Sequence, residues 1–204
     1  MLKIAHNKHY VLPLPEGHRF PMEKYDLLPQ QLLHEGTISI TNIFEPVEVD
    51  SHWILKTHTS EYLNKLDRLD LTKDEIRRNG FPLTPELIQR EKMILDGTIK
   101  CTDYALEYGV AMNIAGGTHH SYSNRGEGFC ILNDQAVAAN YLLDQKKAAK
   151  ILIIDLDVHQ GNGTAEIFEK EDRVFTFSMH GAKNYPLKKE RSDLDIELPD
   201  GIQD

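Results

Sequence analysis

The sequence predicts an α/β protein with a mainly parallel sheet flanked by helices. Short runs rich in β-branched residues alternate with longer segments of helical periodicity, the order expected of α/β proteins. The run Ile151–Ile154 is apolar at every position, which is typical of a central parallel strand covered on both faces. We find no repeat, low-complexity tract or linker, so the prediction is one domain over residues 1–204.

Five strands are expected from the apolar and β-branched runs: Leu2–Ala5, Ile38–Ile43, Val110–Ile114, Ile151–Leu156 and Val174–Ser178. A further strand running into a loop is expected within residues 193–204. Four helices are expected: Lys24–Glu35, Ser60–Leu69, Thr84–Tyr108 and Asn133–Gln145. Thr84 is a good N-cap ahead of Pro85, and Gly97 is expected to interrupt the long segment that follows. Residues 80–83 are predicted to be a loop between helices.

Composition excludes several classes of protein. The 40% of hydrophobic and 27% of charged residues are ordinary for a globular domain. A net charge of −9 argues against nonspecific nucleic-acid binding and mildly favours cationic substrates, although it also serves solubility. No run approaches the roughly 18 apolar residues of a membrane span, and no signal peptide is evident, so a cytoplasmic location is expected.

The two cysteines give no metal-binding pattern, so any metal must rest on His and carboxylate ligands. Cys101 is expected to fill the core, and the role of Cys130 stays open.

Asp155, Asp157 and His159 end the apolar run and precede Gly161. Residues two apart in a strand point to the same face, so a carboxylate oxygen of Asp157 and a ring nitrogen of His159 could approach one cation. The glycine-containing turn 161–163 opens the carboxyl end of the strand, where ligands bind in open α/β sheets. The spacing outlines a metal site, although Asp-x-His also occurs in hydrogen-bonded turns.

A second pair of ionisable residues stands at another predicted strand end. Gly116 and Gly117 follow the apolar segment 110–115 and precede His119 and His120. An isolated pair of adjacent histidines is more often polar surface than a site. Two strand ends that both carry ionisable groups nevertheless indicate one shared crevice.

Three motifs occur in order along the chain: GGTHH at 116–120, GEGFCILND at 126–134 and DLDVHQGNG at 155–163. Together they resemble the zinc-dependent histone deacetylase family. The similarity extends from about residue 1 to the end, and the third motif looks most like the class IV branch and its bacterial relatives. The resemblance implies a three-layer α/β fold of the arginase/deacetylase type, with a central mainly parallel sheet flanked by helices.

The resemblance further implies a metal-dependent amidohydrolase that cleaves an acyl amide with a metal-activated water. Asp157 and His159 would be two of the three protein ligands of Zn²⁺. His120 would be the principal general base and acid, with His119 as its electrostatic and hydrogen-bonding partner.

Four more assignments follow from the resemblance. Asp155 would hold the ring of His119, and Asn162 would face His120. Many family members carry Asp at that place, and the neutral Asn is expected to leave the pKa of His120 lower. A structural monovalent cation, K⁺ or Na⁺, would be bound by Asp155, Ser178 and Met179. The walls of a narrow channel for an acyl-lysine-like arm would be Gly128, Phe129 and Tyr185.

The family pattern continues beyond residue 204 with the third zinc-binding Asp and a Tyr that stabilises the transition state. We therefore expect the fold to be incomplete at its C-terminus. Either these residues are part of a longer polypeptide, or another chain completes the fold. With only two protein ligands, zinc is expected to bind weakly.

The substrate class expected from the resemblance is an acetyl-lysine protein or a small acylated amine. An arginase-like hydrolase is a second hypothesis, but Gly161 stands where the two-metal Asp-x-His-x-Asp pattern has its second Asp. A third hypothesis is a degenerate, non-catalytic protein that binds acylated partners.

Overall fold

The computed structural model describes residues 1–203, which contain six strands and seven α-helices. The strands are β1 (Lys3–Ala5), β2 (Ile43–Phe44), β3 (Ala111–Asn113), β4 (Ile151–Asp155), β5 (Val174–Gly181) and β6 (Leu194–Leu198). The helices are α1 (Lys24–His34), α2 (Ser51–Ile54), α3 (Ser60–Asp67), α4 (Lys73–Asn79), α5 (Pro85–Tyr108), α6 (Asp134–Asp144) and α7 (Asn162–Phe168). Within residues 1–203 no helix has the length and apolar character needed to cross a bilayer.

All strand pairs of the described residues are parallel, and the strands form two ladders of three. Strand β1 lies between β2 and β3, and strand β5 lies between β4 and β6. In the second ladder Asp155 at the end of β4 stands opposite Ser178 of β5. Parallel strands joined through helices confirm the predicted α/β class.

Helix α5 forms the centre of the larger hydrophobic core. It begins as predicted, with the Thr84 side chain accepting a backbone hydrogen bond and Pro85 at the first helical position. The predicted interruption at Gly97 is wrong, because the helix continues unbroken to Tyr108. A Cβ atom at Gly97 would lie 2.6 Å from the Tyr10 hydroxyl and 3.1 Å from the Ala5 Cβ. The glycine therefore lets the helix approach strand β1 closely.

The predicted strand Ile38–Ile43 is mostly wrong. Residues Ile40–Asn42 form a 3₁₀ turn in which the Asn42 side chain accepts from the Ser39 backbone, and strand β2 begins only at Ile43. Helices α2, α4 and α7 were not predicted, since four to seven residues are too few for an apolar period to show. The capping box of Thr72 and Glu75 was the one local signal for α4.

One face of the β4–β5–β6 ladder is exposed in residues 1–203. Leu152 and Ile154 of β4 are 58% and 55% exposed, and Phe175 of β5 is 47% exposed. The prediction that β4 is covered on both faces is therefore wrong for the described residues, where β4 is an edge strand. The opposite face packs against α6 and α7 through Ile153, Ala136 and Phe168. An apolar run indicates that both faces of a strand are apolar. It does not indicate that other segments pack against both faces.

Candidate active site

The loop that carries His119 and His120 follows strand β3 and is fixed by Asp134. The Asp134 carboxylate accepts hydrogen bonds from the Gly117 nitrogen (3.0 Å), the Thr118 nitrogen (2.8 Å) and the Thr118 hydroxyl (2.7 Å). Asp134 is buried and stands in the first turn of α6, where a negative charge is favoured by the helix dipole. It therefore begins α6 and also holds the histidine loop against it.

The first histidine of the loop is held by the carboxylate that ends strand β4. His119 Nδ1 lies 2.5 Å from Asp155 Oδ2, and the other Asp155 oxygen accepts from the Asp157 backbone nitrogen at 3.0 Å. A carboxylate oxygen accepts, so Nδ1 carries the proton and a neutral ring keeps its lone pair on Nε2. The structure thus brings His119 and Asp155 together as the sequence predicts.

The second histidine stands at the head of a buried chain of hydrogen bonds. His120 Nδ1 lies 2.6 Å from Asn162 Oδ1, and Asn162 Nδ2 lies 2.9 Å from the Tyr122 hydroxyl. The Tyr122 hydroxyl in turn donates to Glu190 Oε1 at 3.2 Å. Because the chain ends on a carboxylate, each group donates toward Glu190, and His120 is left with its lone pair on Nε2.

Burial and neighbouring histidines hold His120 in its neutral form. Its pKa is lowered to about 4, first by burial and then by the charge of His119. The hydrogen bond to Asn162 and the charge of Asp157 both raise the pKa, but their effects are smaller than that of burial. The direction agrees with the low pKa expected for His120, but burial is its main cause and the Asn162 hydrogen bond acts in the opposite direction.

The predicted zinc ligands Asp157 and His159 lie side by side in the loop after β4. Asp157 Oδ1 accepts from the His159 backbone nitrogen at 2.8 Å and lies 3.0 Å from His159 Nδ1. Partial burial alone would raise the pKa of Asp157, but the His159 hydrogen bonds and the charge of His119 outweigh it and hold that pKa below its ordinary value. The two side chains are about half exposed.

This donor pair fits part of a zinc site. A carboxylate oxygen and an imidazole nitrogen are the ligands zinc prefers when cysteine is absent, and catalytic zinc takes three protein ligands. Among residues 1–203 no group of three or more His, Cys, Asp or Glu residues is arranged to hold a metal ion. The described residues therefore offer two converging donors of the expected kind, Asp157 and His159.

A tight turn forms one wall of the cavity above His120. Glu127 and Cys130 exchange backbone hydrogen bonds of 2.9 Å, and the residues between them, Gly128 and Phe129, both have positive φ (54° and 66°). A non-glycine residue in this conformation costs on the order of 1 kcal/mol and is concentrated at functional sites. The strain is held by packing, because the Phe129 ring lies against Gly80.

Tyr185 forms the opposite wall. Its ring centroid lies 5.0 Å from that of His120 and 6.0 Å from that of His159, and its hydroxyl donates to Glu127 at 2.6 Å. A cavity of about 440 Å³ beneath these walls is lined by both histidines of the pair together with Asp157, His159 and Phe129. The predicted catalytic and zinc residues line this cavity except Asn162, which is buried and bonds His120, and the channel residue Tyr185 lines an adjoining cavity that shares His120 and Phe129.

The residues predicted to bind a monovalent cation lie on neighbouring strands. Asp155 ends β4 opposite Ser178, and Met179 is the next residue of β5. The Ser178 hydroxyl is 2.9 Å from His180 Nδ1, which gives the buried His180 a structural partner. The cation itself stays a prediction from the resemblance.

Two functional positions, Tyr122 and Glu190, were missed by sequence reasoning. Tyr122 directly follows the histidine motif, but nothing in the sequence pairs it with a glutamate 68 positions later. Gln160 bonds the Glu190 backbone on both sides, at 2.8 Å to its nitrogen and 2.8 Å to its carbonyl, and so fixes that segment to the loop. Burial raises the pKa of the Cys130 thiol well above its ordinary value, which disfavours the reactive thiolate form.

The fold and this crevice define a domain of the histone deacetylase type. Residues 18–202 match the histone deacetylase domain, and the chain belongs to that family. It is 45% identical over 201 residues to an uncharacterized protein of Picosynechococcus sp., covering 98% of this chain and 67% of that protein. It is 29% identical over 176 residues to Histone deacetylase 2 of Arabidopsis thaliana, covering 83% of this chain and 46% of the relative.

Two solved structures are similar over nearly the whole chain. A histone deacetylase homologue from Aquifex aeolicus aligns with a TM-score of 0.83 at 24% identity, covering 98% of this chain and 60% of that one. A homologue complexed with SAHA aligns with a TM-score of 0.81 at 25% identity, covering 97% of this chain and 59% of that one. These alignments confirm the predicted fold. This chain spans about three fifths of the length of each matched chain.

Proposed function

We propose that this chain forms the zinc-binding and proton-transfer part of a deacetylase that hydrolyses an acyl amide on lysine or on a small amine. The observation that carries the proposal is the setting of His120. Its Nδ1 is committed to Asn162, its Nε2 is free to accept, and its ring lies in the same cavity as the converging donors of Asp157 and His159. A base beside a metal-ligand pair is the arrangement that amide hydrolysis requires.

In this proposal Asp157 and His159 hold the zinc ion. A zinc bound there would act as a Lewis acid and lower the pKa of a coordinated water toward neutrality. The lowered pKa of Asp157 keeps its carboxylate ionised and ready to bind a cation across the neutral range.

His120 and His119 carry the protons in this proposal. The neutral Nε2 of His120 takes a proton from the attacking water and later gives one to the leaving amine. His119, whose ring centroid is 4.0 Å away, is held by Asp155 with its own Nε2 toward the cavity, where it can donate or accept in turn. Burial of both rings keeps the transferred proton away from bulk water.

The walls of the cavity support an extended, apolar substrate arm. Phe129 and Tyr185 would contact the methylene groups of a lysine side chain and leave its acyl amide beside His120. A similar homologue was solved in complex with SAHA, which supports ligand binding by this kind of domain. An acetyl-lysine protein is therefore the substrate we favour.

The two-metal arginase-like alternative finds no support at Gly161. A side chain at this position would collide with the Asp155 carboxylate, which is committed to His119. No second carboxylate could enter the site from there. The one-metal chemistry is favoured for that reason.

The proposal is tested on the full-length protein with an acetyl-lysine peptide and quantified zinc. We expect His120→Ala to lower kcat by at least about 100-fold while zinc content stays near that of the unmodified protein. Asp157→Ala should lower both activity and zinc content. His34→Ala, an exposed position on α1, is the matched control. Retention of deacetylation in either site variant would reject the assigned roles.

A further inference from the structure

The mouth of the channel carries two arginines that have no charged partner among residues 1–203. A second cavity of about 410 Å³ adjoins the His120 pocket, and its lining includes Arg19 and Arg78 beside Phe129 and Tyr185. Both arginines are exposed. Within residues 1–203 neither guanidinium takes part in any of the ion pairs or side-chain hydrogen bonds.

Both arginines are anchored to the channel wall itself. The Arg19 guanidinium lies 4.9 Å above the ring of Phe129, a cation–π contact that leaves its edge free for hydrogen bonds. The Arg78 carbonyl accepts from the Gly128 nitrogen at 3.2 Å, and the next carbonyl, that of Asn79, accepts from the Phe129 nitrogen at 2.7 Å. The Arg19 guanidinium and the Arg78 backbone therefore both contact the strained turn that shapes the channel.

The charge at this mouth is opposite in sign to that of the whole chain. The net charge is −9, but no carboxylate of the described chain lines this cavity, and Glu127, which contacts the wall residue Tyr185, is already engaged by the Tyr185 hydroxyl at 2.6 Å and by Arg125 at 3.8 Å. Asp157 lines the adjoining cavity and belongs to the proposed metal-ligand pair. The net charge that mildly favours cationic substrates thus says little about the place where a substrate enters.

We propose that Arg19 and Arg78 form an anion-binding subsite that selects acyl-lysine arms carried on acidic peptide segments. The inference rests on the proposed deacetylase function and names the class of its substrate. A lysine arm that places its amide beside His120 leaves the peptide backbone at the mouth, within reach of both guanidinium groups. Planar guanidinium groups bind carboxylates in a bidentate manner, and Asp or Glu residues next to the acyl-lysine supply them.

The same charges disfavour a second substrate class. A small polyamine would bring ammonium groups to the mouth, where they would meet two like charges instead of partners. The geometry therefore separates the two classes that the resemblance leaves open, acetyl-lysine proteins and small acylated amines.

The test compares three peptides that share one acetyl-lysine and differ only in flanking residues: aspartate, serine or lysine. With the full-length protein we expect the aspartate peptide to have the lowest KM, by about two- to fivefold per arginine, as for an exposed ion pair. Its advantage over the serine peptide should shrink when salt rises from 50 mM to 500 mM, because exposed pairs are screened. Acetylated spermidine should be the poorest substrate.

Variants assign the preference to the two arginines. In Arg19→Ala/Arg78→Ala the KM ratio of serine to aspartate peptide should fall to about one, and Arg19→Lys/Arg78→Lys should keep part of it. Arg77→Ala is the matched control, because Arg77 pairs with Asp74 on the exposed side of α4 and does not line the cavity. An unchanged ratio in the double alanine variant, or a preference for the lysine peptide, would overturn the inference.

Binding without turnover separates this inference from the proposed function. Fluorescence anisotropy of labelled peptides on His120→Ala measures the preference even when no hydrolysis occurs. Absence of hydrolysis by the unmodified protein together with tighter binding of the aspartate peptide would reject the deacetylase and keep the subsite. Hydrolysis of all three peptides with equal KM and equal affinity would reject the subsite and keep the deacetylase.

Discussion

His120 Nδ1 donates to Asn162 Oδ1 over 2.6 Å, and this contact decides which nitrogen of the ring can act as a base. The amide oxygen can only accept, so the proton stays on Nδ1 and the lone pair on Nε2. A carboxylate would do the same and would also favour the charged ring. The neutral amide orients His120 while leaving its pKa low.

The first prediction exchanges this amide for a carboxylate. In Asn162→Asp the negative charge favours the imidazolium, so the pKa of His120 rises by about 1 to 3 units. Activity needs the neutral ring, so the acid limb of kcat/KM against pH should move to higher pH by a similar amount. Asn162→Ala, which removes the acceptor, should lower kcat about 10- to 100-fold, as loss of a ligand-orienting partner does.

The control for this exchange is Asn64→Asp, at an exposed position of α3. It adds the same charge to the chain far from the hydrogen-bond chain and should leave the pH profile unchanged. If the acid limb of kcat/KM against pH does not move in Asn162→Asp, protonation of the His120 ring is not what causes that limb.

The second prediction concerns Tyr122, the residue that links Asn162 to Glu190. Tyr122→Phe leaves the buried Asn162 Nδ2 without its acceptor, which should lower the free energy of unfolding by about 1 to 3 kcal/mol. It also frees the amide to rotate, so kcat should fall with little change in KM. Glu190→Gln keeps an acceptor for the hydroxyl and should be milder.

Tyr62→Phe is the matched control, because the buried Tyr62 hydroxyl donates to the Ile131 carbonyl at 2.8 Å. This hydrogen bond does not belong to the series that links His120 to Glu190. It should cost comparable stability in urea unfolding and little kcat. If kcat falls equally in the two tyrosine variants, Tyr122 stabilises the fold but does not orient His120 through Asn162.

The sequence predicted the site better than the elements around it. His119 and His120 follow an apolar run and two glycines, whereas Asp157 and His159 follow an apolar run and precede Gly161. These signals are local. The partners Tyr122 and Glu190 are joined only through the fold. Their contact depends on where the loop after β5 returns, which no local spacing reports.

The errors in the fold have the same origin. Gly97 has the low helix propensity that predicts a break, but tertiary packing decided the outcome, since the absent side chain lets α5 meet β1. The apolar side chain of Ile154 predicts burial, yet it is exposed. Whether it is buried depends on which other segments pack against that face of the β4–β5–β6 ladder, and the sequence of the strand does not specify this.

The third prediction tests close packing between α7 and the histidine loop. Gly163→Ala would gain about 1 kcal/mol from helix propensity alone. The added Cβ would collide with the backbone carbonyl group of Ser121 and lie 2.7 Å from the His120 carbonyl carbon. Backbone cannot yield as a side chain does, and overpacking costs about 1 to 3 kcal/mol, so we expect a net loss of stability in urea unfolding.

The loss of activity should accompany that loss of stability, since the displaced segment carries His120. Gly181→Ala is the control, because a Cβ there meets only the side chain of Asn184, which can move. A Gly163→Ala variant as stable and as active as the unmodified protein would mean that the loop tolerates displacement.

The fourth prediction concerns the pH dependence of stability set by His58. This buried ring lies 3.0 Å from the Tyr122 carbonyl through Nδ1 and accepts from the Asn133 nitrogen at 3.0 Å through Nε2. Protonation would place a second N–H against the Asn133 donor. Burial, opposed by the backbone carbonyls of Tyr122 and Ser123, lowers the pKa of His58 to about 4.

In the unfolded chain His58 titrates near its ordinary pKa of about 6.5. Between those two values the unfolded state binds the extra proton, so the contribution to stability is complete above about pH 6.5 and is lost as the pH falls toward 4. The loss between pH 7.5 and pH 5 should be roughly 2 kcal/mol in urea unfolding. His58→Gln should be less stable at pH 7.5 but lose about 2 kcal/mol less on acidification, whereas exposed His34→Gln should follow the unmodified protein. An identical pH dependence in His58→Gln would show that the buried ring, and with it the support of the loop at Tyr122, does not remain neutral through this range.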